Sequence, residues 1–221
     1  MFMEWKITFR QHNIKMATRS GIGYDVHRLI ESRPLILGGV EIASEKGLDG
    51  HSDADVLSHA IADALLGAVG LPDIGHFFPP TDESIKGISS LEILSRVAFE
   101  LNELGAVIVN LDSTLIAEKP KILPYADEMK ENISQSLGID PKLIGIKATT
   151  NEQLGFLGRK EGMAAYSRIQ QQEFAREKDG YTSVKHQREV GTSYFDAVSN
   201  TISSGQSSTT AMAGSTESEQ F

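Results

Sequence analysis

The stretch SDADVLSHAIADALLGAVG, residues 52–70, has the pattern of the helix around which we expect the fold to assemble. Its apolar side chains recur at helical spacing, at Leu57, Ile61, Ala64, Leu65 and Ala68. Ser52 or Asp53 is suited to cap the first turn, where acidic side chains favour the positive end of the helix dipole. The stretch therefore predicts a helix that packs against a core through one face.

Segments on either side of this helix alternate between strand and helix patterns. Four of them have the composition of strands: PLILGGVEIA (34–43, with a glycine pair as a bulge or turn), AVIVNLDSTLIAE (106–118), LIGIKATT (143–150) and GMAAYSRIQ (162–170). Two further helices are predicted, one that follows Ser89 and Ser90 and ends at Gly105, and one that ends at Gly138. Since no regular βα repeat appears, we predict an α+β fold, a mixed sheet with helices packed on one face.

The strand-like stretch GYDVH, residues 23–27, carries an aspartate and a histidine two positions apart. In a strand, side chains at i and i+2 project from the same face, so Asp25 and His27 should point together and Val26 into a core. Two ligand-type side chains on one face are half of a metal site, or else part of an ordinary exposed strand edge.

The opposite face of the first helix supplies a third ligand-type side chain, His59, with Asp55 and Asp63 four residues to either side. A lone helical histidine is more often hydrogen-bonded or solvated than a metal ligand. With Asp25 and His27, however, it would complete an Asp-His-His set, and catalytic zinc keeps three protein ligands and one open position. Asp55 or Asp63 would then accept a hydrogen bond from the ring N–H of His59. Spacing alone leaves both interpretations open.

Composition excludes several classes of protein. The 221 residues suit one domain with extensions, and a hydrophobic fraction of 40% is enough for a core. No apolar run approaches the ~20 residues that span a bilayer, which predicts a soluble protein without a membrane partner. A net charge of -9 argues against nucleic acid as a partner. Because the chain has no cysteine, any zinc must be held by His, Asp or Glu.

The two ends differ in composition from the middle of the chain. Residues 1–17 lack the apolar segment of a secretory signal and make a poor transit peptide, so we predict a disordered extension, or a start at Met16. Residues 172–221 are predicted to be a disordered tail, since their last twenty-one residues include ten Ser or Thr. The ordered domain is predicted at 18–171.

Two features suggest anion binding. His51 and Ser52 precede the first helix, and the free N–H groups and positive dipole at a helix start suit a phosphate, although Ser52 as a simple cap is the alternative. Lys147 precedes two hydroxyl residues and a glycine-spaced loop, which is weak evidence and not a Walker A pattern.

Six motifs together carry a family resemblance: GYDVHRL, LILGGVEI, GLDGHSDADVLSHAIADALLGA, DIGHFFPPTD, AEKPKILPY and KATTNEQLGFLGRKEG. In this order, over residues 19–170, they resemble the 2-C-methyl-D-erythritol 2,4-cyclodiphosphate synthases of the non-mevalonate isoprenoid pathway. The resemblance implies a catalytic domain at 18–171. It also implies a homotrimer with the sheets around the threefold axis and active sites between subunits. It says nothing about either extension.

The resemblance also implies a reaction and two metal ions. The substrate would be the CDP-linked 4-diphosphocytidyl-2-C-methyl-D-erythritol 2-phosphate, converted to 2-C-methyl-D-erythritol 2,4-cyclodiphosphate with release of CMP by a phosphorus–oxygen lyase. Asp25, His27 and His59 match the family's ligands for zinc or another divalent cation, and a second ion, Mg²⁺ or Mn²⁺, would sit on the substrate diphosphate. His51 and Thr150 match positions credited with transition-state stabilisation. The enzyme would be cytoplasmic in a bacterium, or plastidial in a plastid-bearing eukaryote.

Substrate contacts are implied in two groups. The group around the metal and the methylerythritol comprises Asp25, Val26, His27, His51, Ser52, Asp73, Ile74, Gly75, Phe78, Pro79, Pro80, Thr81 and Asp82. The cytidine pocket, across a subunit boundary, comprises Ala117, Glu118, Lys119, Pro120, Lys121, Ile122, Leu123, Ala148, Thr149, Thr150, Asn151 and Glu152, and Phe156 and Arg159 match further ligand contacts. Pro80 departs from the family, since some members have Asp there.

Two other functions remain as alternatives from the residues themselves. A zinc-dependent phosphohydrolase could use the same Asp-His-His set, with metal-bound water attacking a phosphate ester. A non-catalytic metal-binding module is the other. The cytidine-pocket motifs distinguish the synthase from the hydrolase, and His51 with Ser52 argues against the module.

Overall fold

The structure, a computed structural model, describes residues 16–174. Our predictions for residues 1–15 and 175–221 lie outside this range. The strands are β1 Met16–Glu31, β2 Leu35–Leu37, β3 Val40–Ile42, β4 Lys46–Leu48, β5 Ala106–Ile116, β6 Ile144–Thr149 and β7 Gly162–Phe174. The helices are α1 Val56–Ala68, α2 Ile74–Phe77, α3 Ser90–Glu103, α4 Ala126–Leu137 and α5 Gly155–Gly158. Within residues 16–174, no helix combines the length and the hydrophobicity that a membrane span requires.

The main sheet has five strands in the order β4-β1-β7-β5-β6. β1 pairs antiparallel with β4 and β7, β5 pairs antiparallel with β7, and β5 and β6 are parallel neighbours. The predicted α+β class with a mixed sheet is therefore confirmed. The central β1–β7 pair is long and in register from Met16 opposite Phe174 to Arg28 opposite Gly162, so both strands extend beyond residues 18 and 171.

Several predicted boundaries agree with the structure. The glycine pair of the first strand pattern is the turn between β2 and β3, with positive φ at Gly38 and Gly39. Ser89 caps α3 by accepting a hydrogen bond from the Leu91 N–H. Gly138 ends α4 in the left-handed conformation, at φ 66°, which glycine adopts without steric cost.

Helix α1 begins later than the sequence suggested, and it has no solvated face. Its cap is Asp55, whose carboxylate accepts hydrogen bonds from the N–H groups of Leu57 and Ser58, so the predicted caps Ser52 and Asp53 precede the helix. The polar face opposite the apolar stripe is covered as well, because α1 packs on β1 and β7 on one side and against α3 on another. Asp55 is fully buried as a result.

Two glycines of β1 set the distance between the sheet and α1. A Cβ atom at Gly21 would lie 2.0 Å from the Ala64 carbonyl oxygen, and one at Gly23 would lie 1.9 Å from that of Ala60. No side chain fits in such a gap, so the helix backbone rests directly on the strand. This close approach brings the side chains of β1 and α1 within reach of one another.

The other face of β1 and β7 is open and apolar in the single chain. Ile22, Tyr24, Val26 and Tyr166 are between 40% and 74% exposed. The expectation that Val26 points into a core is wrong for the single chain. Strand alternation turns Asp25 and His27 toward α1, and Val26 consequently lies on the face that the chain itself leaves uncovered.

Candidate metal centre and substrate site

Strand β1 and helix α1 bring the three predicted metal ligands together. The Oδ2 atom of Asp25 lies 2.9 Å from His27 Nε2 and 3.0 Å from His59 Nδ1. The two histidine nitrogens are 3.2 Å apart. Among the residues described, these three form the group of ligand atoms with a geometry that could hold a metal ion.

The dimensions of this triangle fit a tetrahedral metal ion. Zinc bonds of about 2.0–2.1 Å imply that neighbouring ligand atoms of a tetrahedron are roughly 3.3 Å apart. The three separations are close to that value, and three protein ligands leave one coordination position for a substrate oxygen. Asp25, His27 and His59 thus form a candidate metal site of the catalytic type.

Hydrogen bonds orient both histidine rings toward the ion position. His27 Nδ1 lies 2.6 Å from the carbonyl oxygen of Asp49, which can only accept, so this nitrogen carries the proton and Nε2 is left as the ligand. His59 faces the cluster with Nδ1, and its Nε2 lies 2.9 Å from the Ser90 hydroxyl and 3.2 Å from the Ser52 hydroxyl. Partners of this kind fix the tautomer of a metal ligand.

Burial and the neighbouring side chains shift the pKa values of Asp25 and His27 in opposite directions. Burial would raise the pKa of Asp25, but hydrogen bonds with His27 and His59 outweigh it, and the pKa of this carboxyl lies well below its usual range. Burial likewise would lower the pKa of His27, and the hydrogen bond and charge of Asp25 raise it instead. Asp25 is therefore anionic near neutral pH and offers a negatively charged oxygen to a cation.

The aspartates expected to accept from His59 have other partners. Asp55 accepts hydrogen bonds from the Gly39 N–H at 2.9 Å and the Ser58 hydroxyl at 2.8 Å, and so joins the β2–β3 turn to α1. Asp63 accepts from the Ile74 N–H at 2.9 Å and holds the start of α2. That part of the prediction is wrong, since His59 Nε2 is bonded to the hydroxyls of Ser90 and Ser52 and both carboxylates are bonded elsewhere.

His51 and Ser52 lie in a loop ahead of α1 rather than at its first turn. At the helix start, the N–H groups of Leu57 and Ser58 donate to the Asp55 carboxylate. These two groups are therefore not available for the expected phosphate site. The loop is fixed by Arg33, which donates to the carbonyls of Gly50 and Ser52 at 2.6 and 2.7 Å. The buried Nε2 atom of His51 has no hydrogen-bond partner among the residues described.

The segment around α2 lies beside this centre. Asp73 caps α2, and its carboxylate accepts from the His76 N–H. Asp73, Gly75 and Pro80 are exposed, and Phe78 is buried. The hydrogen bond from Ile74 to Asp63 connects this segment to the helix that carries His59.

The two loops of the expected cytidine pocket meet at one edge of the sheet. They follow β5 and β6, whose carboxyl ends lie side by side because the strands are parallel. The Ala117 N–H donates to the Thr149 carbonyl at 2.9 Å. Glu118 accepts from the N–H groups of Asn151 and Gln153 at 2.9 and 3.1 Å. The loops thus form one unit although about 30 residues separate them in sequence.

Known relatives identify the family. The sequence profile of the YgbB family matches residues 18–171. A protein of Akkermansia muciniphila, named 2-C-methyl-D-erythritol 2,4-cyclodiphosphate synthase, is 61% identical over 153 residues, which cover 69% of this chain and 90% of that relative. This chain belongs to the 2-C-methyl-D-erythritol 2,4-cyclodiphosphate synthase family.

Solved structures of the synthase family have the same fold. The bifunctional IspDF of Campylobacter jejuni superposes with a TM-score of 0.70 at 43% identity, over 72% of this chain and 43% of that protein, so this chain spans less than half of the bifunctional protein. A CDP complex of IspF from Plasmodium falciparum superposes with a TM-score of 0.61 at 34% identity, over 70% of this chain and 95% of that one.

A second profile matches the carboxyl-terminal part of the chain. The isocitrate lyase family matches residues 146–221, about a third of the chain. Within 146–171 this match overlaps the synthase match, and there the chain forms most of β6, all of α5 and most of β7 of the synthase fold. Beyond 174 the match lies outside the residues described.

The remaining synthase-family positions lie near a basic cavity. Arg159, after α5, pairs with Glu161 at 2.7 Å, and Phe156 is 44% exposed. Arg159 lines a cavity of about 590 Å³ together with Lys46, Lys119 and Lys160. The sequence resemblance named Lys119 and Arg159 but not Lys46 or Lys160, which come together only through packing of the β1–β4 end against the loop after β5.

Proposed function

We propose that this chain converts 4-diphosphocytidyl-2-C-methyl-D-erythritol 2-phosphate to 2-C-methyl-D-erythritol 2,4-cyclodiphosphate and CMP. The observation that carries the proposal is the triangle of Asp25, His27 and His59, with ligand separations of 2.9–3.2 Å, in a chain of this family. Membership of the lyase family supplies the substrate, and the triangle supplies a place to bind its phosphates.

Ring closure requires positioning more than proton transfer. An oxygen of the 2-phosphate attacks the β-phosphorus, and the bond from that phosphorus to the bridging oxygen breaks, so that CMP leaves with the electron pair. Because the attacking oxygen is already anionic, the enzyme needs no general base. It has to hold a flexible molecule in the closing geometry and stabilise the developing charge.

We assign these tasks to side chains around the triangle. Asp25, His27 and His59 would hold zinc or another divalent cation, which when bound polarises a phosphate oxygen. A second divalent ion, Mg²⁺ or Mn²⁺, is proposed on the substrate diphosphate. The unpartnered Nε2 of His51 and the hydroxyl of Thr150 are proposed to stabilise the transition state.

The substrate contacts remain as the sequence predicted them. Asp73, Ile74 and Gly75, tied to α1 through Asp63, would bind the methylerythritol portion. The joined loops at 117–123 and 148–152 would bind the cytidine. In a single chain these loops lie at the β5–β6 edge, whereas the ligand triangle lies between β1 and α1.

We propose a homotrimer with the sheets around the threefold axis and the active sites between subunits. The open face that carries Ile22, Tyr24, Val26 and Tyr166 supports this arrangement, because monomeric proteins rarely expose contiguous apolar patches of this kind. Trimer formation would cover that face and place the cytidine loops of one subunit beside the metal site of the next. With bacterial relatives such as that of Akkermansia muciniphila, we propose a cytoplasmic location.

Product analysis tests the proposed reaction. Purified protein with Zn²⁺ and Mg²⁺ should convert the CDP-linked substrate to the cyclic diphosphate and CMP in equal amounts, as measured by ³¹P NMR. A Lys130→Ala variant, altered at an exposed ion pair on α4, serves as a matched control that retains activity. Release of inorganic phosphate without a cyclic product would identify a phosphohydrolase and refute the proposal.

A further inference from the structure

We infer that Ser90 and Asp53 are positioning residues for the metal ligand His59. They form a hydrogen-bond chain, from His59 Nε2 to the Ser90 hydroxyl and on to the Asp53 carboxylate, that leaves the lone pair of Nδ1 for the ion. The inference rests on the proposed metal site and concerns residues that the sequence patterns did not assign to it. Ser90 was expected only as part of a helix start.

The direction of each hydrogen bond follows from counting protons. An ionised carboxylate accepts and does not donate, so the single hydroxyl proton of Ser90 goes to Asp53 Oδ1. The Ser90 oxygen can then only accept from His59 Nε2, 2.9 Å away. Nε2 therefore carries a proton, and Nδ1, which faces Asp25 and His27, is the nitrogen left to bind the ion.

Asp53 is itself held in place by backbone groups. Its Oδ2 accepts from the Ser90 N–H at 2.9 Å, and its Oδ1 also accepts from the Asp55 N–H at 3.2 Å. The carboxylate thereby links the segment that precedes α1 to the first residue of α3. The three proposed ligands lie on β1 and α1, whereas Ser90 belongs to α3. A third element consequently helps to fix the orientation of His59.

Burial prevents water from replacing the hydrogen bonds between His59, Ser90 and Asp53. The side chain of Ser90 is fully buried, and that of His59 is nearly so. A buried N–H that loses its acceptor pays its desolvation cost without compensation, and the ring can avoid this by changing tautomer or rotating. A change of tautomer would put a proton on Nδ1, and a rotation would turn Nδ1 away, so either change would prevent Nδ1 from binding the ion.

The same hydrogen bonds also determine whether the Ser52 hydroxyl can donate to His59. Its oxygen lies 3.2 Å from His59 Nε2 and accepts from the Ala54 N–H at 3.0 Å. Because Nε2 already carries a proton, Ser52 cannot donate to it. The hydroxyl proton of Ser52 stays available for an anionic oxygen of the substrate.

Zinc affinity of three variants tests the inference. Asp53→Asn presents an amide that donates where a carboxylate accepted, and Ser90→Ala removes the acceptor of Nε2. Each should bind zinc about 10–100-fold more weakly than wild type in competition with a chromophoric chelator, the range for loss of a partner of a metal-bound histidine. Ser89→Ala is the control, since Ser89 is exposed and caps the same helix without touching the ring, and it should bind zinc as wild type does.

Two further measurements separate positioning from a structural role. In the zinc-loaded wild type, the His59 Nε2–H should give a slowly exchanging, downfield proton resonance in NMR that persists in Ser89→Ala and is lost or displaced in Ser90→Ala. The affinity losses of Asp53→Asn and Ser90→Ala should not multiply in the double variant, because both break one chain.

The outcomes distinguish this inference from the proposed metal site. If wild type binds no zinc, the metal site itself is wrong. If wild type binds zinc and both variants bind it within about twofold of wild type with the resonance unchanged, Ser90 and Asp53 do not position His59.

Discussion

Replacement of Gly23 by alanine should push α1 away from the strand that carries two of the proposed metal ligands. The new Cβ atom would lie 1.9 Å from the Ala60 carbonyl oxygen and 2.8 Å from the Ala64 nitrogen, both of them backbone atoms of α1. Real Cβ contacts begin at about 3.0–3.4 Å, so the helix has to retreat by roughly 1.1–1.5 Å.

This displacement acts on stability and on the metal site together. Overpacking of a core costs about 1–3 kcal/mol, and a clash between backbone atoms belongs at or above the upper end of that range. His59 would move with α1 while Asp25 and His27 stay on β1. The separations of His59 Nδ1 from Asp25 Oδ2 and His27 Nε2, now 3.0 and 3.2 Å, would then exceed the roughly 3.3 Å of a zinc tetrahedron.

The assay combines urea unfolding with zinc competition. Gly23→Ala should lower the unfolding free energy by about 3 kcal/mol or more and weaken zinc binding at least ~10-fold. The matched control is Gly67→Ala on α1, where a Cβ would meet only the Ile22 carbonyl at 3.8 Å; it should be neutral or stabilising by up to ~1 kcal/mol because alanine favours helices. A Gly23→Ala protein with wild-type stability and zinc affinity would refute the close approach of helix and strand.

Four further predictions follow from the same structure. His59→Ala should keep the fold by circular dichroism but lose tight zinc binding and turnover; full zinc content after purification would contradict the ligand assignment. Deletion of residues 175–221 should leave turnover within about twofold, since β1 and β7 pair continuously from Met16 opposite Phe174 to Arg28 opposite Gly162 without the deleted residues. Aggregation or inactivity of the shortened protein would show that residues 175–221 are needed. Mixing inactive His59→Ala with inactive Lys121→Ala should restore activity if sites lie between subunits; no recovery despite subunit exchange would mean that each chain carries a complete site. Burial, with the charge of Glu103, raises the pKa of Glu100 to about 7, so the folded state binds more protons than the unfolded chain between about pH 4.5 and 7, and stability falls as pH rises through that window. Glu100→Gln should therefore raise the melting temperature at pH 8 relative to wild type but not at pH 4, and an equal effect at both pH values would contradict the shift.

In the proposed assembly, the two parts of each active site come from different copies of the chain. One chain supplies the ligand triangle between β1 and α1 and, separately, the joined loops at the end of β5 and β6. The open apolar face of β1 and β7 lies on the side of the sheet away from α1. A contact between copies through this face would complete sites without any rearrangement of the individual fold.

The sequence by itself determined much of the local structure and which residues are candidates for the ligand set. Alternation along β1 places Asp25 and His27 on one face, and left-handed glycines such as Gly138 end helices where only glycine is unstrained. These features depend on neighbours within a few residues, which is the range over which backbone sterics and periodicity act. The six motifs added the family, since a reaction is recognised from a set of residues and not from any single pattern.

Only the tertiary structure decided which atoms meet. Periodicity offered Asp55 as a partner of His59 and placed Val26 in a core, but Asp55 is buried against the β2–β3 turn and the sheet leaves Val26 open. Ser90 contacts His59 across 31 residues of sequence, and Gly23 matters because a helix backbone lies under 2 Å from where a Cβ would stand. Contacts of this kind arise from how whole elements pack, and close packing fixes them to a fraction of an ångström that no local pattern contains.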